Sequence, residues 1–350
     1  MALFILRRFG VMLLTTLCLT LIVFVLTNLY PNLEKVAKTQ GNMRMTDEQV
    51  ETWLSQRGYT QPMLEKYGQW LGVLPGWTFE TEAGVTGRCI AGAVPPDEAA
   101  AAPERCGILQ GVWGYSTVFR DDVGSIVVKR LGLTGKLMFW VLVLMVPSAL
   151  LIGVLAGMRE GSVLDRSLST FSIITTATPE YVSGVIFIAV FTSSAVGLKW
   201  FKGTATTAMD DATFSNFFLP VLTISLYGMG YIARMTRASM AEVMTAQYIR
   251  TARLKGVSFP NIVMKHALRN ALIAPFTVIM LQVPWLLNGV VIVETLFNYK
   301  GFGWTLVQAA GNNDIELLLG VSVVSVFVVL LTQLISDIGY VYLNPRIRIS

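Results

Sequence analysis

Apolar residues along this chain gather into six runs: Phe9 to Leu29, Leu137 to Met158, Ser167 to Val196, Phe214 to Ala233, Ala271 to Val293 and Leu317 to Val341. Each has the length that crosses a hydrocarbon core as a helix, about 20 residues. The third and sixth are long enough to be tilted or bent. Between the first and second runs the pattern changes to helical amphipathicity. Thr46 followed by Gln49 forms a capping box, and Val50, Trp53 and Leu54 then recur at helical spacing. Pro62 opens a second short helix whose stripe is Met63, Tyr67, Trp70 and Leu71. These stripes are suited either to covering a membrane mouth or to packing on each other. From Pro75 to about Gln110 the residues turn to Gly, Ala, Pro and Glu, which predicts an irregular insertion.

Composition supports a bilayer environment. Hydrophobic residues make up 53% of the 350 and charged residues 14%, with a mean hydropathy of +0.59; soluble domains carry about 25% charged residues. The net charge of +5 follows the positive-inside rule and not a nucleic-acid surface, since no basic stripe with interleaved aromatics is present. Arg7 and Arg8, Arg159 and Arg166, the run Arg234 through Arg269, and Arg346 and Arg348 all flank connections on one side. On the other side Lys199, Lys202 and Lys300 are offset by Asp210, Asp211, Asp314 and Glu316. Six spans then put both termini in the cytoplasm and the segment 31–132 outside. No small-x-small cleavage site follows the first run, so it is expected to remain as a helix.

Candidate chemistry is sparse. The chain has one histidine, His266, no cluster at metal-ligand spacing and no phosphate-binding G-x-x-x-x-G-K-[ST] loop. Neither catalysis, a metal site nor a cofactor is expected in this chain. Cys89 and Cys106 lie outside the spans, where an oxidising compartment allows a bridge between them; free thiols are the alternative. Pro147, Pro179, Pro220, Pro275 and Pro284 fall in or beside the spans and favour bends, although Pro220 and Pro275 serve equally as helix-end punctuation. Among acids near the membrane, Glu294 and Asp337 lie by span ends within reach of water. Glu180 follows Pro179 in a helix expected to break there, which makes Pro179 and Glu180 candidates for a translocation path; helix capping is the plainer reading. No chain of intramembrane acids indicates proton or sodium coupling.

The polar segment 234–268 has helical periodicity but no catalytic constellation. Arg234 and Arg237 share a face where the fourth span leaves the membrane. A short helix follows in which Tyr248, Thr251, Ala252 and Lys255 fall on one side, Thr251 and Ala252 being small enough for a partner to approach, and Gly256 ends it. A solvated basic loop is the simpler alternative.

The run Y-I-R-T-A-R-L-K-G from Tyr248 to Gly256 resembles the coupling loop of binding-protein-dependent ABC importers, with Arg250-Thr251-Ala252, Gly256 and Leu268 in the corresponding places. The likeness is greatest to the first permease subunit of the peptide/nickel branch. It extends over RASMAEV at Arg237 to Val243, HALRNALI at His266 to Ile273, VETLF and GFG between Val293 and Gly303, WGYS at Trp113 to Ser116, TPEYVSG at Thr178 to Gly184 and NPRIR at Asn344 to Arg348. It implies an all-α integral membrane protein with six transmembrane helices, the type I ABC importer permease fold, and a long external loop with short amphipathic helices. The organisation would be residues 1–30 as tail and first span, 31–132 as periplasmic loop with the insertion 75–110, and 133–350 as a five-helix core with a coupling loop at 234–268.

The resemblance further implies a permease of the bacterial inner membrane that forms half of an alternating-access pathway for peptides or similar small solutes. Its partners would be a second homologous permease, two cytoplasmic ATPases that bind ATP and Mg, and a periplasmic solute-binding protein. ATPase coupling is carried over to Tyr248, Ile249, Arg250, Thr251, Ala252, Arg253, Lys255 and Gly256. Two departures stand out: Pro31-Asn32-Leu33 replaces a Pro-Gly-Asp-Pro-like turn, and Lys300 replaces a proline before Gly-x-Gly. The insertion is the larger departure and leaves the solute open. A stand-alone channel or carrier without ATPase partners is the alternative function, and a membrane-embedded enzyme is disfavoured by the missing catalytic cluster.

Overall fold

In an apolar medium every backbone N–H and C=O needs a partner from its own segment or a close neighbour, so long apolar runs fold as helices. A computed structural model describes residues 2–81, 84–193 and 198–343. Its elements in chain order are α1 (Ala2–Thr27), α2 (Tyr30–Gln40), α3 (Asp47–Ser55), α4 (Met63–Leu71), β1 (Thr78–Thr81), β2 (Gly84–Gly87), β3 (Ile90–Val94) and α5 (Pro96–Ala101). Then come β4 (Tyr115–Ser116), β5 (Asp121–Asp122), α6 (Val123–Gly157), α7 (Val163–Ala177), α8 (Glu180–Phe191), α9 (Phe214–Met244) and α10 (Gln247–Leu254). The remainder are α11 (Phe259–Asn261), a π-helical stretch Ile262–Ala267, α12 (Leu268–Ala271), α13 (Ile273–Leu296), α14 (Phe302–Gly311) and α15 (Ile315–Leu343).

Among the described residues four helices are long and apolar enough to cross a bilayer: Leu6–Thr27, Val123–Gly157, Phe214–Met244 and Ile315–Gly339. Two bent pairs bring the number to six if each is one span: α7 with α8, which turn by 104°, and Phe259–Ala271 with Ile273–Leu286, which turn by 50°. The first bend falls where Pro179 enters α8 with extended backbone, as the third apolar run predicts. Pro147 and Pro220 instead sit inside α6 and α9, which continue through them. The NPRIR motif, with Arg346 and Arg348, and the end of the third run at Val196 lie outside the described residues.

The chain divides into two compact units. One comprises Leu131–Trp304 with flanking segments 2–9 and 329–343. Its centre is α9, with 72% of its apolar window buried against 28% for α6. Small residues allow this depth. A Cβ on Gly153 or Gly157 of α6 would meet Thr236 and Ala233 or Arg237 and Met240 of α9, and one on Gly230 would meet the Ser172 carbonyl of α7. Leu137, Met145, Ile224, Ile232, Leu286 and Phe297 fill the core between these helices.

The other unit comprises Gly10–Arg130 and Thr305–Val328. Here the amphipathic stripes pack on each other: Val36 and Ala37 of α2, Val50 and Leu54 of α3, and Tyr67 and Trp70 of α4 share one cluster with Phe24, Ile315 and Leu319. The Thr46/Gln49 capping box is formed, with both reciprocal hydrogen bonds. Pro31 lies in the first turn of α2, so the Pro31-Asn32-Leu33 departure begins a helix rather than a turn. The insertion is more ordered than its composition predicts. β1, β2 and β3 form an antiparallel sheet with Thr78 opposite Gly87 and Val85 opposite Val94, and the Sγ atoms of Cys89 and Cys106 are bonded at 2.00 Å. Local pairing across tight turns needs little apolar surface, which is why composition did not reveal it.

Candidate functional site

The connection after α9 builds a docking-sized element from local rules. Helix α10 starts after Ala246, which holds extended backbone, and runs eight residues to Leu254. It stops because Gly256 adopts φ +74°, the left-handed conformation glycine tolerates best. Gly256 N donates to the Arg253 carbonyl at 3.0 Å and Val257 N to the Ala252 carbonyl at 3.1 Å, a Schellman closure that satisfies the last carbonyls.

The two faces of α10 are sharply different. Ile249 and Ala252, three residues apart, are buried against Met240 and Met244 of α9 and Ile262, Val263, Ala267 and Ala271 of the following segment. Three of these residues, Ile262, Val263 and Ala267, lie in the π-helical stretch. The opposite face exposes Tyr248, Arg250, Thr251, Arg253, Leu254, Lys255 and Gly256. None of its three basic residues has an ion-pair partner among the described residues, and Leu254, an apolar side chain, is 81% exposed.

Two features differ from the sequence reading. Ala252 does not share the outer side with Tyr248, Thr251 and Lys255; at 7% exposure it faces the seat, because α9 and the segment 262–271 pack over it together with Ile249. Leu254, not among the residues assigned to coupling, is the most exposed apolar side chain of the helix. Its signal in the sequence was a leucine six residues after Tyr248 on an otherwise basic face. Tyr248 is held in place by Asn270, whose Nδ2 donates to its hydroxyl at 3.0 Å.

An ion pair fixes the neighbouring helix ends. Arg237 of α9 grips Asp165 of α7 through both nitrogens, Nε to Oδ1 at 2.6 Å and Nη2 to Oδ2 at 2.8 Å. Asp165 also accepts from Gly161 N at 2.8 Å and Ser169 Oγ at 3.1 Å, while its own N–H donates to the N-cap Ser162 hydroxyl. The spacing Ser162-x-x-Asp165 signals the start of α7, but not the pairing of Asp165 with Arg237. Arg237 is thus an interhelical clamp as well as a residue of the basic segment.

The other candidates lie elsewhere. Pro179 and Glu180 form the elbow between α7 and α8, and neither joins the cluster that seats α10. Glu180 is buried and its Oε1 has no hydrogen-bond partner. Asp337 pairs with Arg8 at 3.1 Å. Glu294 is fully buried, contrary to the expectation that a position near a span end reaches water, because the turn after α13 folds over it. Cys89 and Cys106 belong to the second unit. Among the described residues no group of three or more His, Cys, Asp or Glu side chains could hold a metal ion, and His266 is exposed.

Residues 149–349 match the family described as binding-protein-dependent transport system inner membrane component. A probable peptide ABC transporter permease of Sinorhizobium fredii is 35% identical over 244 residues, 69% of this chain and 77% of that protein. The di/tripeptide transport system permease protein DppB of Pseudomonas aeruginosa is 28% identical over 368 residues, 99% of this chain and 98% of its own length. The oligopeptide transport system permease protein AppB of Bacillus subtilis is 32% identical over 247 residues, 69% of this chain and 77% of that protein.

Proposed function

Since the chain belongs to the family of binding-protein-dependent transport system inner membrane components, we propose that α10 is the point at which this permease receives the work of ATP hydrolysis from another subunit. The chain itself is a multi-pass membrane protein and a permease subunit of an ABC importer, not a member of an enzyme class. The observation that carries the proposal is the two-faced character of α10: an apolar seat beneath, and an outer face with the exposed Leu254 and cations that have no ion-pair partner among the described residues. Exposed apolar side chains ringed by charge suit a protein interface.

In this reading two ATPase subunits hold ATP and Mg, and this chain binds no cofactor. Closure of the ATPases moves α10 as a rigid body, since its Schellman closure and seat leave it little independent freedom. Motion passes to α9 through Met240 and Met244, and from α9 to α7 through Arg237 and Asp165. The α7–α8 elbow at Pro179 and Glu180 then turns with it and lines the pathway shared with a second permease subunit. Alternating access follows from this rocking of a helix bundle around a central site. The coupling segment 234–268 and both termini face the cytoplasm, on the support of their Arg and Lys, and the segment 31–132 meets a periplasmic solute-binding protein. Peptides are the solute class, on the support of the relatives' names.

A cysteine in place of Leu254 tests the assignment. In the assembled transporter it should crosslink to an ATPase subunit, with ATP changing the yield. A full set of crosslinks to lipid or to none, in a complex that still hydrolyses ATP on solute delivery, would remove α10 from the coupling path.

A further inference from the structure

The second unit holds a cavity of about 290 Å³ between the end of α1, helix α4, the insertion and the first turns of α15. Its charges are unequal. Three basic side chains, Lys66, Arg57 and Arg88, line it against one carboxylate, Glu316. Arg88 lies 3.8 Å from Glu316 Oε1, so these two charges answer each other. Lys66 and Arg57 have no ion-pair partner among the described residues. The Lys66 ammonium, on a residue only 8% exposed, donates to the Tyr59 carbonyl at 2.9 Å, which uses one of its three protons. Arg57 is held over the Trp53 ring at 3.9 Å, with Nη1 donating to the Trp53 carbonyl at 3.4 Å.

Two neutral groups add donors to the same lining. The side-chain amide of Gln69, a residue 5% exposed, and the Tyr59 hydroxyl have no hydrogen-bond partner among the described residues. Neither is sealed in protein, as Trp70 Nε1 and Glu316 Oε2 are, so both open onto the cavity they line. Burial holds the Tyr59 hydroxyl well above its ordinary pKa, which keeps it a donor at neutral pH. Water can satisfy these hydrogen bonds, but it cannot answer the two uncompensated cations. The occupant that completes the lining is an oxyanion.

The depth of the cavity selects which oxyanion. The apolar length of α1 ends at Thr27 and that of α15 begins at Ile315, and Phe24, Asn28, Ile315 and Leu319 all line the cavity. It therefore lies where hydrocarbon gives way to headgroups, and the anion concentrated in that layer is the phosphate of lipids. We propose that the cavity binds the phosphate of an anionic phospholipid headgroup, on Lys66, Arg57, Tyr59 and Gln69. The acyl chains stay in the bilayer beside α1, only 17% of whose apolar window is buried. Phosphatidylglycerol suits the site better than phosphatidylethanolamine, whose ammonium would face Lys66 and Arg57 while Glu316 is engaged by Arg88. A lipid held here ties α4 and the insertion to the membrane surface.

The test is photolabelling of the assembled transporter in nanodiscs with phosphatidylglycerol that carries a diazirine on its headgroup. Adducts are expected within residues 57–72, competed by unlabelled phosphatidylglycerol and not by diacylglycerol of the same chains. Arg57→Met and Gln69→Leu should each lower the labelling about tenfold, the loss expected for one hydrogen bond to a charged group. Absence of adducts in that stretch, competition by diacylglycerol as strong as by phosphatidylglycerol, or unchanged labelling in both variants would overturn the site. Inorganic phosphate that removes the adducts at millimolar concentration would give the cavity to a free anion and overturn the lipid assignment. The competition series uses the unaltered protein, so it decides the matter if a variant does not assemble.

Discussion

Thr134 and Glu294, 160 residues apart in the chain, share a buried hydrogen bond from the threonine hydroxyl to Oε1. The same hydroxyl accepts from Phe302 N at 2.7 Å, and Glu294 Oε2 accepts from Trp304 N at 2.8 Å. The carboxylate therefore caps the first turn of α14, where N–H groups lack helical partners and a negative charge is favoured. The two glycines between are required by proximity, since a Cβ on Gly301 would strike this carboxylate and Thr134, and one on Gly303 would strike Val291. Replacement of Glu294 by Ala leaves buried donors unpaired and should destabilise the protein by about 3 kcal/mol. Gly301→Ala should lower the melting temperature in detergent comparably. Unchanged melting in both variants would show that the network bears no weight.

Gly256 separates backbone from side-chain effects at the end of α10. Its φ of +74° costs about 1–2 kcal/mol for most residues but less for asparagine. Gly256→Val should abolish solute-stimulated ATPase activity in the assembled transporter while membrane insertion persists, and Gly256→Asn should retain most of it. Equal activity of the two variants is the result that would refute the conformational role.

Opposite faces of α10 should fail differently. Ala252→Asp puts a charge into the apolar seat, so cleavage between residues 245 and 257 by added protease should accelerate. Leu254→Asp should leave the cleavage rate unchanged and reduce retention of the ATPase on affinity purification. Faster cleavage in Leu254→Asp would place that residue in the seat instead.

The Asp165–Arg237 clamp should behave as a unit. Removing either partner of a largely buried pair costs about 3 kcal/mol or more, because the other charge stays behind. Arg237→Lys should recover only part of this, since lysine cannot grip both oxygens. A double-mutant cycle on thermal unfolding measures the coupling, and strict additivity of Asp165→Asn and Arg237→Gln would dissolve the clamp.

Breaking the Cys89–Cys106 bridge opens a loop with a sequence separation of 17 residues. In the chain-entropy estimate this removes about 3 kcal/mol of local stability. Paired serine substitutions should make residues 75–110 the first site of proteolysis while leaving α9 protected. Protease patterns identical with and without the bridge would mean that the sheet holds the insertion alone.

Local and periodic features were legible in the residues themselves. The positions of the apolar runs, the Thr46/Gln49 cap, the break at Pro179 and the end of α10 at Gly256 each depend on a few neighbouring residues, and on helical or steric rules that act within one or two turns. The family likeness in the Tyr248 to Gly256 run was legible for the same reason. What the sequence left open were contacts between segments far apart in the chain. Whether Glu294 meets water or Thr134, and which side of α10 takes Ala252, were settled by residues far along the chain or beyond the next turn. Asp165 and Arg237 each look like ordinary surface charges until α7 and α9 pack. Burial is a property of what covers a residue, and the covering residues are chosen by tertiary packing, so the sequence determined the elements and the structure alone decided their partners.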